Sequence, residues 1–184
     1  MSTRDSKVHA LNIAHIRTTK NTLQTTARQT AIELLDGLVA CTTDLALAAR
    51  QAHSTVRGKQ FLALHDLFGR IFDELNRHTD VMAGRAAAIG GIPRCTAQSV
   101  VAATKLKPYP IFGFDGVDHV EELARRMAVL SAEIRQAILT IEGQRDPVTA
   151  HHLVDTGAAV DHLLWLLESQ IPIEVTERPG NAPA

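Results

Sequence analysis

The segment LHDLFGRIFDELNRHTDVMAG (64–84) carries His65, Asp73 and Asp80, and His53 stands a short way before it. Read as a helix advancing about 100° per residue, it places His65, Gly69, Asp73, Asp80 and Gly84 within roughly 100° of arc. An apolar stripe of Leu64, Phe68, Ile71, Leu75 and Met82 runs beside that line. A polar line of this kind is what the edge of a solvated face looks like. Histidine with carboxylate on the helices of a four-helix bundle is also how di-iron sites are built. The two glycines are misfits, since each costs a helix interior about 0.8–1.0 kcal/mol relative to alanine.

Distance decides how these residues could act together. His65 and Asp80 are fifteen positions apart, which at a rise of about 1.5 Å per residue is roughly 22 Å along the axis. Metal–ligand bonds near 2 Å cannot span that gap. If both bind one ion, they come from two copies of the helix packed antiparallel about a twofold axis. Each of two equivalent sites then takes His65 from one subunit and Asp80 from its mate. His53, at the end of the preceding helix, can fold over to join His65. The metal reading therefore implies a dimer.

The elements that must position these groups are four helices. The first, about 24–51, repeats Ala31, Leu34, Leu38, Cys41, Leu45 and Ala48 at spacings of three and four. The second, about 59–88, adds Phe61 to the stripe above and stops at Gly90-Gly91-Ile92-Pro93. The third, about 118–143, carries Val120, Leu123, Met127, Leu130, Ile134 and Ile141, with Asp118 and Glu121 as its expected capping box. The fourth opens on Asp146-Pro147, an acidic cap followed by proline, and carries Leu153, Val160, Leu163, Leu164, Leu167 and Ile171. Short links join helices one to two and three to four, which predicts two antiparallel hairpins. The stretch between helices two and three is too long for a bundle turn, and SVVAATKL (99–106) within it reads as a short helix. The predicted fold class is all-α, a ferritin-like four-helix bundle with one long crossover. The predicted domain is residues 24–171, with a mildly basic tail before it (1–23) and a loose tail after it (172–184).

Composition closes off several classes. The chain has 184 residues, 45% of them hydrophobic, 21% charged and only 4% aromatic, with a formal net charge of −1. Bulk charge of that size recruits neither nucleic acid nor membrane, so DNA contact would need a local patch. The first residues offer one, because Lys7, Arg17, Lys20 and Arg28 meet no acidic residue between Asp5 and Glu33. No apolar run reaches the ~20 residues of a membrane span, and MSTRDSKVHALNIAH lacks the apolar stretch of a secretion signal. Cys41 and Cys95 match no metal or redox spacing and are expected to be small buried thiols in a reduced cytoplasm.

The segment HSTVRGKQFLALHDLFGRIFDELNRHTDVMAGR resembles the pattern H-W-N-V-x-G-x-x-F-x-x-L-H-x-x-F-D, followed by D-x-x-A-E-R, of the Dps family, the mini-ferritins or DNA-binding proteins from starved cells. IGGIP, DHVEELARRM, the RDPVT helix start and VDHLLWLLESQI are similar to later family motifs in the same order, so the likeness covers about 25–171. The resemblance implies a cytoplasmic, nucleoid-associated shell of twelve four-helix subunits built from twofold dimers. It implies oxidation of Fe(II), preferably by hydrogen peroxide, at a site shared between subunits, and storage of the ferric mineral inside. It also implies DNA bound in many members and protected under oxidative stress. Residue by residue, it assigns iron binding to His53, His65 and Asp80. Its two remaining carboxylates fall on Gly69 and Gly84, and its tryptophan and asparagine are replaced by Ser54 and Thr55. Trp165 is retained, while His151, His152 and His162 stand where acidic residues or lysine are more usual.

The glycines change the expected chemistry. Two imidazoles and one carboxylate still form a set suited to non-haem Fe(II), and zinc would accept the same ligands with water in fourth place. A bridging carboxylate for a fast two-iron reaction is missing. Asp73, one turn beyond Gly69, could reach in through water, whereas Asp66 and Glu74 point into solvent. His78 reads as a core-edge or surface histidine. The glycines could equally allow close helix approach or leave room for another group. A shell kept for DNA binding or another ligand, with little ferroxidase activity, is the competing expectation.

Overall fold

The computed structural model describes residues 16–111 and 115–171. Among them are helices α1 (Thr25–Thr55), α2 (Phe61–Ala88), α3 (Ala97–Ala103), α4 (Gly116–Gly143) and α5 (Pro147–Glu168), and no strand. Helices α1 and α2 pack along each other, as do α4 and α5, and each pair is joined by a short turn. The path from α2 to α4 carries α3, which lies against α1. This is the predicted bundle of two hairpins and one crossover. Of the expected tails 1–23 and 172–184, residues 1–15 and 172–184 lie outside the described residues.

Burial of the apolar stripes holds the bundle together. Leu35 and Leu45 of α1, Phe68, Ile71 and Met82 of α2, Met127 and Ile134 of α4, and Leu153 and Val160 of α5 are fully buried. Each large side chain withdrawn from water contributes roughly 1.5–3 kcal/mol. The stripe predictions differ at Leu34, Leu164 and Ile171, which are only partly buried, and at Phe61. Leu35 rather than Leu34 is the innermost residue of its turn, and Phe61, at the open end of α2, is 41% exposed.

Helix ends follow the physics of unsatisfied amides. Asp146 accepts a hydrogen bond from the Thr149 amide, and Pro147 follows as the first helical residue. The capping box of α4 is one turn earlier than expected. Asp115 accepts from the amides of Val117 and Asp118, and Asp118 accepts from the Asp115 amide. Gly116 obscured this start. A Cβ there would overlap the Leu64 side chain, so glycine lets α4 begin directly against α2. Beyond α2, Gly90 takes φ +98°, and its carbonyl accepts the Arg17 amide at 2.8 Å. Ile16 packs beside it against the core.

One latch was not foreseen. Arg85, in the last turn of α2, donates to both carboxylate oxygens of Asp146, at 2.9 and 3.1 Å, and to Thr149 Oγ1 at 2.8 Å. It thus ties the far end of the first hairpin to the start of α5. Burial alone would raise the Asp146 carboxyl, but hydrogen bonds from Thr149 and Arg85 outweigh it and hold the group below the ordinary value. The thiols divide. Cys41 is buried on α1, whereas Cys95 is exposed, because it lies in the crossover rather than on a packed helix face.

Candidate metal half-sites at the two ends of helix α2

The turn at 56–60 returns the chain so that the last turn of α1 meets the second turn of α2, and this stacks His53 on His65. Their ring centroids are 3.7 Å apart with planes 24° from parallel, and Phe61 flanks His65 at 5.2 Å. His53 Nδ1 bonds the His65 carbonyl at 2.8 Å, and His65 Nδ1 bonds the His53 carbonyl at 2.9 Å. A carbonyl can only accept, so Nδ1 carries a proton in both rings, and the neutral form of each keeps its lone pair on Nε2. Among the described residues no hydrogen bond occupies either Nε2. A ring fixed through one nitrogen while the other is left to donate to a cation is the usual setting of a ligating histidine. The His53 carbonyl lies among those at the end of α1 that lack an intrahelical partner, so His65 also caps the helix.

The two glycines are not equivalent. A Cβ on Gly69 would stand 3.2 Å from His53 Nδ1 and 3.3 Å from its Cε1. The imidazole crowds that position, and a side chain there would need the ring to give by a few tenths of an ångström. A Cβ on Gly84 would meet nothing within 4 Å. There the space is open, and only the side chain is missing.

Asp80 is exposed on the same helix. Because α2 runs unbroken from Phe61 to Ala88, the separation of roughly 22 Å from His65 stands, and one chain cannot bring the two to a common ion. No group of three or more His, Cys, Asp or Glu side chains within the described residues could hold a metal. Asp73 borders a cleft towards α5 together with Arg70, Glu74 and His162.

His78 is buried rather than at the surface. Thr156 Oγ1 donates to the His152 carbonyl, so at 3.0 Å it accepts from His78 Nδ1, and His78 Nε2 accepts from Arg77 at 2.7 Å. Burial first, then the Arg77 charge, pushes this imidazole below its ordinary pKa. It is a neutral structural residue with both nitrogens in use. Glu74 is paired with Arg77 rather than free in solvent. On α5, His151 lies 3.5 Å from Asp155, and the His162 ring is 5.6 Å from the exposed Trp165.

Sequence reading missed a second histidine network. Tyr109 Oη lies 2.6 Å from His119 Nδ1, and His119 Nε2 lies 3.2 Å from Thr55 Oγ1, two residues after His53. The only available signal was a tyrosine between two prolines, KPYP, in the crossover.

A four-helix bundle of two hairpins joined by one long crossover is the ferritin-like architecture. The chain matches the ferritin-like domain over residues 32–172. It is 35% identical over 153 residues to the DNA protection during starvation protein of Agrobacterium fabrum (strain C58), a match covering 83% of this chain and 94% of that one. The Dps protein of Bacillus brevis is similar at 26% identity and TM-score 0.75, covering 80% and 98% of the two chains. Dps from Mycobacterium smegmatis, in its tetragonal form, shares the fold with TM-score 0.81 at 18% identity, covering 86% and 95%. The chain belongs to the Dps family. No helix among the described residues is long and apolar enough to cross a membrane.

Proposed function

We propose that this protein is a mini-ferritin that binds and oxidises Fe(II) at sites shared between twofold-related subunits. It stores the ferric product in a dodecameric shell, and it protects DNA in a bacterial cytoplasm under oxidative stress. The observation that carries the reading is the His53–His65 pair, oriented through both Nδ1 atoms with both Nε2 lone pairs uncommitted. Iron here is substrate: two Fe(II) each give one electron to hydrogen peroxide, which takes up two protons and leaves as two waters. The chain supplies two neutral nitrogen donors at one end of α2 and one anionic oxygen, Asp80, near the other. An antiparallel twofold neighbour would bring the two half-sets together. Nothing in the half-sites selects zinc over iron.

The two glycines favour a second reading, a shell with little ferroxidase activity serving DNA binding or another ligand. With Gly69 crowded by an imidazole and Gly84 bare, neither position supplies a carboxylate to this reaction. A subunit-mixing experiment decides between the two. His65→Ala and Asp80→Ala shells are each expected to oxidise Fe(II) with peroxide no faster than buffer, followed by ferric absorbance. Dissociated, mixed and reassembled, they form mixed dimers with one whole site and one doubly damaged site. Random pairing in an isologous dimer then restores about a quarter of wild-type activity. Wild type no faster than buffer removes the enzyme reading, and full activity in either single variant places oxidation elsewhere.

A further inference from the structure

We infer that Tyr109 and His119 form a proton-coupled electron relay that quenches one-electron oxidants produced near the His53–His65 pair. The direction of every proton in the relay follows from the hydrogen bonds. Thr55 Oγ1 donates its only hydrogen to the Gln51 carbonyl at 2.7 Å. Towards His119 it therefore accepts, and His119 Nε2 carries the proton. The neutral imidazole then has its lone pair on Nδ1, and the Tyr109 hydroxyl, 2.6 Å away, donates to it. The chain runs Tyr109 O–H to His119 Nδ1, then His119 Nε2–H to Thr55, and ends at an exposed residue.

The surroundings make electron loss depend on that proton acceptor. Burial raises the Tyr109 hydroxyl far above its ordinary pKa, so no tyrosinate is present to be oxidised. The Arg126 guanidinium lies 5.1 Å from the ring centroid and would penalise a tyrosine radical cation. The electron must therefore leave together with the proton. His119 is fully buried and pushed below its ordinary pKa by that burial, while Asp118 and Asp115 act in the opposite sense. It is neutral and ready to accept before the event, and the two acids offset its charge afterwards. The step balances. Tyr109 O–H loses one electron to a hydroxyl radical, the product of peroxide and Fe(II), and its proton moves to His119 Nδ1. The radical takes a solvent proton and becomes water. A further Fe(II) returns the electron and becomes Fe(III), and His119 returns the proton.

The relay borders the two helix turns that carry the histidine pair. His119 lies edge-on to Phe68 at 6.0 Å, Phe68 is on the turn of α2 that follows His65, and Thr55 is on the last turn of α1 with His53. The source of the oxidant rests on the proposed iron chemistry, but the relay does not, so the experiment has two arms. In the first, azidyl radicals made by pulse radiolysis oxidise the metal-free shell, and the transient spectrum is followed. The chain has one tyrosine and one tryptophan, so any tyrosyl signal is Tyr109 and any tryptophanyl signal is Trp165.

A tyrosyl signal is expected, absent in Tyr109→Phe and formed more slowly in deuterium oxide. His119→Gln should slow it about a hundredfold, the low end of what a positioned proton acceptor contributes. Thr55→Ala, which leaves the hydroxyl–imidazole pair intact but releases the tautomer, should slow it less. Should His119→Gln fail to assemble, the deuterium effect and Thr55→Ala carry the test. No tyrosyl signal, or one insensitive to deuterium and to both variants, overturns the relay. In the second arm, Fe(II) and peroxide replace azidyl and the radical is trapped by freeze-quench electron paramagnetic resonance. A tyrosyl radical from azidyl but none from iron upholds the relay and counts against the iron reading. A radical found only on Trp165 in both arms overturns it.

Discussion

Replacing Gly69 and Gly84 separately by alanine puts the histidine pair to a thermodynamic test. Both glycines lie inside α2, where alanine is worth about 0.8–1.0 kcal/mol of helix propensity. At Gly84 the new methyl meets nothing within 4 Å, so the whole gain should appear. At Gly69 the methyl arrives 3.2 Å from His53 Nδ1, and the ring must retreat by a few tenths of an ångström. That ring is pinned by its 2.8 Å bond to the His65 carbonyl and by a 3.7 Å stack. Retreat lengthens a hydrogen bond worth about 0.5–1.5 kcal/mol and loosens the stack, which offsets the propensity gain. Gly84→Ala should therefore raise the melting temperature by about 2–4 °C, the shift that 1 kcal/mol gives a chain of this size. Gly69→Ala should leave it unchanged or lower it. Calorimetry of the two variants decides. Equal stabilisation by both would mean that the His53 imidazole does not occupy the space over Gly69. The same asymmetry bears on restoring activity. Gly84→Glu adds a carboxylate to open space and should raise the Fe(II) oxidation rate. Gly69→Asp sets its carboxylate against His53 Nδ1–H in competition with the His65 carbonyl, and should raise it less.

Arg85→Ala leaves the Asp146 carboxylate buried without its bidentate partner and should cost about 3–5 kcal/mol in urea unfolding. The Asp146 carboxyl is held below its ordinary 3.8 in the folded chain, so its contribution is present above that value and lost as pH falls through the lower folded one. Asp146→Asn should flatten that acid limb of an ellipticity titration. His78, pushed below its ordinary 6.5, makes the unfolded chain bind more protons as pH drops below that point. Stability should fall from pH 6.5 downwards, and less so in His78→Gln, as read by melting temperature against pH. If the basic N-terminal residues bind DNA, a gel-shift series across salt should show affinity that falls steeply with salt in the full chain and is lost without residues 1–23. Equal binding by the shortened chain removes the arm from the account.

How much of this was legible in the sequence depends on whether a feature follows from periodicity or from a meeting of distant atoms. The four long helices and the crossover follow from apolar spacing and link length, and Asp146-Pro147 announces α5 because acid cap and proline act within one turn. The start of α4 lies one turn before the Asp118–Glu121 pattern that marked it in the sequence, and the fit of Gly116 against the Leu64 side chain of another helix is visible only in the fold. The tautomers of His53 and His65 rest on each other's backbone carbonyls, which no residue pattern encodes. Tyr109 finds His119 only after the crossover has been routed down the bundle.

Gly69 and Gly84 read identically in the sequence, one residue type on one face, yet one is occupied by a neighbour's ring and the other borders open space. What sequence did settle was the reach of α2. An unbroken helix cannot fold His65 back upon Asp80. A chain with imidazoles at one end of that helix and a carboxylate near the other can use both for one ion only through a second chain running the opposite way. The physical weight of the reading therefore sits on helix rise, and the depleted ligand set decides how fast such a site can turn over.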